Sequence, residues 1–307
     1  MNTTLAIVSS SAFWAAVIAT AAPLLLGTIG ALVSGRAGVL PLAAEGILAA
    51  GAVCAIVVVR GGHSPWIALV LAIAAGAAIG FAQAALVMPF GLPPRLAGVA
   101  LLLATLGGAH VLLVAEFPGA AANPLAVKIA AAGIDLRVIG DLPHVGATLR
   151  EVLRQPLTVH IALVAVLASA HGLMATPLGL ALRACGDSPA AVAAQGRSVA
   201  GLRIYAGTVG AALMGLAAGS LALAEGAAMP AGRIDGRGFL WLALAAAARW
   251  QPVPAAALAV AAAILNTALA AAPALGGPLP LLPLVLALVI LAAPRGDPSR
   301  PFAGKRA

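Results

Sequence analysis

Charge is scarce in this chain. Asp, Glu, Lys and Arg make up only 8% of its 307 residues, against 63% hydrophobic residues and a mean hydropathy of +1.09, which excludes a soluble globule with an ordinary hydrated surface. Aromatic residues are scarce too, at 4% with one tyrosine, so no aromatic-interleaved basic patch exists and the net charge of +8 does not read as a nucleic-acid footprint. Cysteine is nearly missing. Cys54 lies in an apolar run and Cys185 in a polar stretch, which excludes a disulfide framework and a cysteine metal site. His63, His144, His160 and His171 are scattered without H-E-x-x-H spacing, and no G-x-x-x-x-G-K-[ST] run is present to cradle the phosphates of ATP. Neither a nucleophile with its base nor a metal cluster can be assembled, which argues against an intramembrane enzyme.

Long apolar runs are what the chain does have. A helix needs about 20 apolar residues to cross a hydrocarbon core. Such runs recur from end to end, while the alternating ten-residue strands of a membrane barrel do not, so the expected fold is an all-α, polytopic transmembrane bundle. The spans are expected at residues 12–33, 43–59, 66–87, 96–115, 157–175, 204–224, 255–272 and 279–293. A ninth segment, 239–248, is about half the length of a crossing at 1.5 Å per residue and reads as a half-helix. The opening M-N-T-T-L lacks the basic region of a signal peptide, and the run after it is too long for one, so 12–33 is expected to be retained. Residues 1–294 then form one transmembrane domain, with a long connection at 116–156 and a basic tail at 295–307.

Charge orients the bundle. The tail carries Arg295, Arg300, Lys305 and Arg306 against Asp297 and should be cytoplasmic. Strict alternation adds Arg36, Arg95, Arg183, Arg197, Arg203 and Arg249 to that side and leaves Arg60, Lys128, Arg137, Arg150, Arg154, Arg233 and Arg237 outside. Connection 116–156, with equal numbers of acidic and basic residues, suits the outer face, and the amino terminus also falls outside.

Between the spans ending at 175 and starting at 204 lies a polar island, TPLGLALRACGDSPAAVAAQGRSVAGLR (176–203). Thr176 and Pro177 form a helix start, a capping hydroxyl followed by a proline at the first helical position, and Gly186 is expected to end that helix. Asp187, Ser188 and Pro189 repeat the start, 190–195 supply strong helix formers, and Gly196 repeats the stop. The second short helix is expected to expose mainly Ala and Val, including Ala190, Ala191 and Ala194. On local grounds this is either a cytosolic loop with good turn chemistry or a docking element whose small residues let a partner approach closely.

Within the spans, Glu45 stands at the edge of the interrupted second segment, after the break at 34–41. A charge at mid-bilayer costs roughly 2.5 to 3.5 kcal/mol on insertion scales, so Glu45 should face a cavity or a partner such as Arg36. It is either a pathway residue or a carboxylate capping its own helix. Gln83, Thr105, His110 and Asn266 are the other polar residues in spans; interhelix contact is the ordinary role for such groups, and Gln83, Thr105 and Asn266 join Glu45 as candidates for a solute path. Trp14, Trp66, Trp241 and Trp250, near segment ends, read as interfacial anchors.

The run T-P-L-G-L-A-L-R-A followed by G-D-S-P-A-A-V-A-A-Q-G (186–196) resembles the coupling loop of ABC importer permeases, more narrowly of the branch that includes ribose, branched-chain amino acid and nucleoside (basic membrane protein type) permeases. Segment 34–46, SGRAGVLPLAAEG, is similar to one in nucleoside-type permeases, with Pro41 where an Asn is usual. GVALLLATLG (98–107) has Leu102 in place of an Asn, and GRGFLWLALAAAARWQP (236–252) has Gln251 in place of another. The resemblance implies a non-catalytic permease subunit in a bacterial inner membrane that needs no cofactor of its own. It implies that Asp187, Ser188, Pro189, Ala190, Ala191, Ala194 and Gly196 seat in an ATPase subunit, which binds the ATP. The implied partners are two such ATPases, a second, related permease and a periplasmic or lipoprotein solute-binding protein, all serving a small polar solute: nucleoside or purine-like first, sugar or branched-chain amino acid second. The competing expectation is a free-standing secondary transporter coupled to an ion gradient through Glu45.

Overall fold

The computed structural model describes residues 11–90, 92–116, 157–225 and 236–270. No strand occurs among them. Six helices are long and apolar enough to cross a membrane: α1 (Ser11–Arg36), α3 (Pro65–Phe90), α4 (Pro94–Glu116), α5 (Leu157–Ala175), α8 (Val199–Glu225) and α10 (Pro252–Ala270). Two shorter apolar helices, α2 (Ala44–Arg60) and α9 (Arg237–Ala247), match the interrupted span and the half-helix expected from sequence. Between α5 and α8 lie α6 (Pro177–Asp187) and α7 (Pro189–Ala194). The expected span at 279–293, the tail at 295–307 and all but Glu116 of connection 116–156 lie outside the described residues.

α8 is the centre of the bundle, with α1, α2 and α3 packed around it. In lipid, burying apolar surface does not draw helices together, so close van der Waals fit must, and small residues permit it. Along α8, Gly210 and Gly215 meet the backbones of Gly30 on α1 and of Ala72 and Gly76 on α3 so closely that a Cβ at any of these glycines would strike the opposing chain. α2 also packs on α3 and α4, α9 lies across α1 and α2, and α10 and α5 rest on α1.

The outer helices carry large apolar residues on their exposed sides: Leu103, Val111 and Leu112 on α4, Leu163, Val164 and Leu167 on α5, Val253 on α10. Such surfaces belong in hydrocarbon or against another membrane subunit.

The four tryptophans divide. Trp14 and Trp66 are exposed, as anchors should be, whereas Trp241 and Trp250 are buried, which corrects the anchor reading for those two. The indole of Trp241 fills the space a side chain at Gly27 would need, and Trp250 does the same at Gly35. Both notches lie on α1, two turns apart, so α9 is keyed to one face of that helix.

Candidate functional site

The polar island folds as two short capped helices. Thr176 Oγ1 accepts from Gly179 N at 3.0 Å, with Pro177 at the first turn of α6. Two expectations need correction. Gly186 does not end α6, which runs on through Asp187, because Gly186 lies against the backbone carbonyl of Arg36 where no side chain would fit; its missing Cβ serves a close approach instead of a turn. Ser188 flanks α7 without a side-chain capping bond, and Pro189 supplies the start. Gly196, at φ +74°, does take the left-handed turn that stops a helix. Ser198 then starts α8, its Oγ accepting from Gly201 N at 3.0 Å.

On α7, Val192 is buried and is the hydrophobic foot of the helix, so Val is not part of the exposed face. Ala190, Ala191, Ala193 and Ala194 are exposed, as are Asp187, Ser188 and Gly196; Pro189 is half-buried. The result is a smooth alanine knob, held by one valine and framed by Asp187 and Arg197. Beneath it Cys185 is fully buried. Burial raises its thiol pKa above the ordinary value, with Arg203 pulling the other way.

A second cluster forms around Glu45, which is only 4% exposed. Its Oε1 accepts from Gly236 N at 3.1 Å and its Oε2 from Phe239 N at 3.0 Å. Glu45 therefore caps α9, in addition to standing in the first turn of its own helix α2. Gly236, at φ +71°, provides no side-chain cap, and Gly238 lets the two backbones touch: a Cβ there would come within 2.6 Å of Glu45 Cα. Two positive helix ends thus converge on one carboxylate. Arg36, the partner expected for Glu45, turns elsewhere and donates from Nε to the carbonyl oxygen of Trp250 at 2.6 Å.

Depth follows from the notches on α1. Trp241 sits at Gly27 and Trp250 at Gly35. One further turn of α9 toward Gly238 places Glu45 roughly 18 Å along the bundle from the Arg36 end, a little more than half the length of a helix that crosses a hydrocarbon core about 30 Å thick. Arg237, assigned by alternation to the outer face, instead starts α9 beside the start of α2 at this level of the bundle. The other ends group as alternation requires: Arg36, Gly186 and Trp250 meet at one end. Arg60, His63 and Glu116 line a cavity of about 660 Å³ at the other.

The remaining path candidates separate. Gln83 is buried and donates from Nε2 to Leu40 O at 2.9 Å, pinning the irregular stretch between α1 and α2. Thr105 donates back to Leu101 O at 2.6 Å, and its hydroxyl occupies the space beside Gly46. Glu45, Gln83 and Thr105 therefore border the same break, at the start of α2. Asn266 is not with them; it lies half-buried on α10, whose neighbours are α1, α5 and α9. Among the described residues no group of His, Cys, Asp and Glu could hold a metal ion.

The family described as branched-chain amino acid transport system / permease component matches residues 13–294. The chain belongs to this family. This permease is 29% identical over 248 residues to the guanosine ABC transporter permease protein NupQ of Bacillus subtilis, covering 78% of this chain and 76% of that one. It is 30% identical over 239 residues to TsgC13 of Haloferax volcanii, provisionally named a glucose ABC transporter permease protein, covering 77% and 70%. No solved structure matches. The chain is a multi-pass membrane protein and a permease subunit of an ABC transporter.

Sequence reasoning found Glu45 and the half-helix but could not join them, because the cap and the helix it caps are 191 and 194 residues apart. The links of Gly27 with Trp241 and of Gly35 with Trp250 were missed as well. Their only signal was a glycine pair and a tryptophan pair at similar spacing.

Proposed function

We propose that this permease imports a small polar solute across a bacterial inner membrane, nucleoside or purine-like first and sugar second, and that α7 seats in the ATPase subunit that drives it. The alanine knob is the observation that carries the docking reading: four exposed alanines on a helix anchored by one buried valine, beside the cationic Arg197. Small side chains let a groove close on the helix backbone, and the absence of long flexible side chains lowers the ordering cost of docking. The guanosine specificity of one relative supports the nucleoside class and the glucose naming of the other supports sugar. Two ATPases, a second related permease and an external solute-binding protein complete the proposed assembly, with the carboxyl terminus cytoplasmic.

A secondary transporter working through Glu45 is disfavoured by the geometry, since both carboxylate oxygens already serve backbone amides at a helix start. The deciding experiment is uptake in proteoliposomes with the ATPase present and Ala191→Arg or Ala194→Arg introduced. Insertion should be intact, ATPase co-purification lost and uptake reduced at least tenfold. Unchanged uptake overturns the docking role.

A further inference from the structure

We infer that Arg36 is the positioning residue that carries motion of the docking helices to the broken centre of the membrane, with α9 as the connecting rod. This rests on the proposed docking role of α7. Four contacts in series support it. Gly186, on the helix that leads directly into α7, lies on the backbone carbonyl of Arg36 and within reach of Gly38 N. The Arg36 guanidinium, half-buried, then donates from Nε to the carbonyl of Trp250 at 2.6 Å, just beyond the end of α9. Trp250 and Trp241 key α9 to α1 at Gly35 and Gly27. At the far end of α9, Gly236 N and Phe239 N are held by Glu45, which opens α2 beside the break.

The backbone at the Arg36 contact is unusual. Arg249 and Trp250 have φ of +55° and +58°, a left-handed conformation that side chains other than glycine rarely adopt. Consecutive residues held this way aim the Trp250 carbonyl at Arg36 while the indole enters the Gly35 notch. Such strain persists where surrounding contacts enforce it. An ordinary helix end would need neither the conformation nor a guanidinium donated from 214 residues away in the chain. Because Arg36 touches α6 through its backbone and the turn that follows α9 through its side chain, displacement of α6 reaches α9 through that turn without crossing the bulk of the bundle. Packed elements with stiff contacts pass on rigid-body shifts; the physical test is whether breaking one contact separates the two ends.

Arg36→Gln, Arg36→Lys and Gly186→Ala are compared in proteoliposomes containing the full-length permease with its ATPase, measuring ATPase co-purification, ATP hydrolysis and uptake. Arg36→Gln should keep the ATPase bound and hydrolysis within about twofold, while solute moved per ATP falls at least tenfold. Arg36→Lys, which restores a charged donor, should recover at least a third of the wild-type ratio. Gly186→Ala, which wedges α6 from Arg36 and leaves that side chain intact, should lower the ratio as well and carries the test if Arg36→Gln does not insert. A ratio within twofold of wild type for both Arg36→Gln and Gly186→Ala, even with uptake and hydrolysis falling together, would reduce Arg36 to a structural contact and overturn the relay. Failure of the wild-type permease to retain its ATPase overturns the docking reading itself and the relay with it.

Discussion

Glu45 caps a helix that begins 191 residues further along the chain, its Oε1 accepting from Gly236 N at 3.1 Å in a site that is 4% exposed. A membrane offers no water to satisfy the first amides of a helix that starts at mid-depth. The carboxylate supplies what the bilayer cannot, and the N-terminal ends of α2 and α9 in turn stabilise its charge.

Removing that cap should be felt first in stability. Glu45→Ala leaves the Gly236 and Phe239 amides without their acceptors, at a cost of about 1–3 kcal/mol. Glu45→Gln keeps one acceptor oxygen and should cost less than Glu45→Ala. Thermal unfolding of the purified permease in detergent measures the order. An equal Tm for wild type and Glu45→Ala would show that the cap contributes nothing.

The same variants separate two energy sources. ATP-driven uptake by Glu45→Gln should persist at reduced rate, and an imposed proton or sodium gradient should drive none in the wild type. Gradient-driven uptake without ATP that disappears in Glu45→Gln would restore the secondary-transporter reading.

Glycines at close approaches should be intolerant and glycines in open positions tolerant. Gly27→Ala places a methyl group where the Trp241 indole lies and should destabilise the subunit by about 1–3 kcal/mol through overpacking. Gly107→Ala, with nothing within 4 Å, should be neutral or stabilise by roughly 0.5–1 kcal/mol, because alanine is the better helix former. Melting curves of the two variants should move in opposite directions or leave Gly107→Ala unmoved.

Thiol chemistry tests the sidedness of the docking loop. Cys185 is buried and its pKa is raised by that burial, so at neutral pH it is held mostly as the unreactive thiol and should label slowly with a maleimide. The sign is definite: thiolate, and with it reactivity, appears only as pH climbs toward the raised pKa. Ala191→Cys, in a Cys185→Ser background, should label rapidly with an impermeant reagent in inside-out vesicles and stay protected in right-side-out ones. The opposite pattern would place α7 outside the cell and end the docking proposal.

Sequence alone determined that the chain lives in a bilayer, since its hydropathy leaves no other solvent, and it located the six long spans found among the described residues because each is a local run long enough to cross. It also located the two short helices of the polar island, where Thr176, Pro177, Pro189 and Gly196 act on the backbone within a turn of themselves. Only tertiary structure decided which buried groups meet. In an alanine- and glycine-rich bundle most helix faces look alike from sequence, and register is set by where one notch accepts one indole: Trp241 at Gly27, Trp250 at Gly35. For the same reason Gly186 proved to be a place of contact instead of a stop, and Glu45 the cap of a distant helix. Backbone amides left unpaired in hydrocarbon must find an acceptor wherever the fold brings one, and chain order gives no hint of where that is.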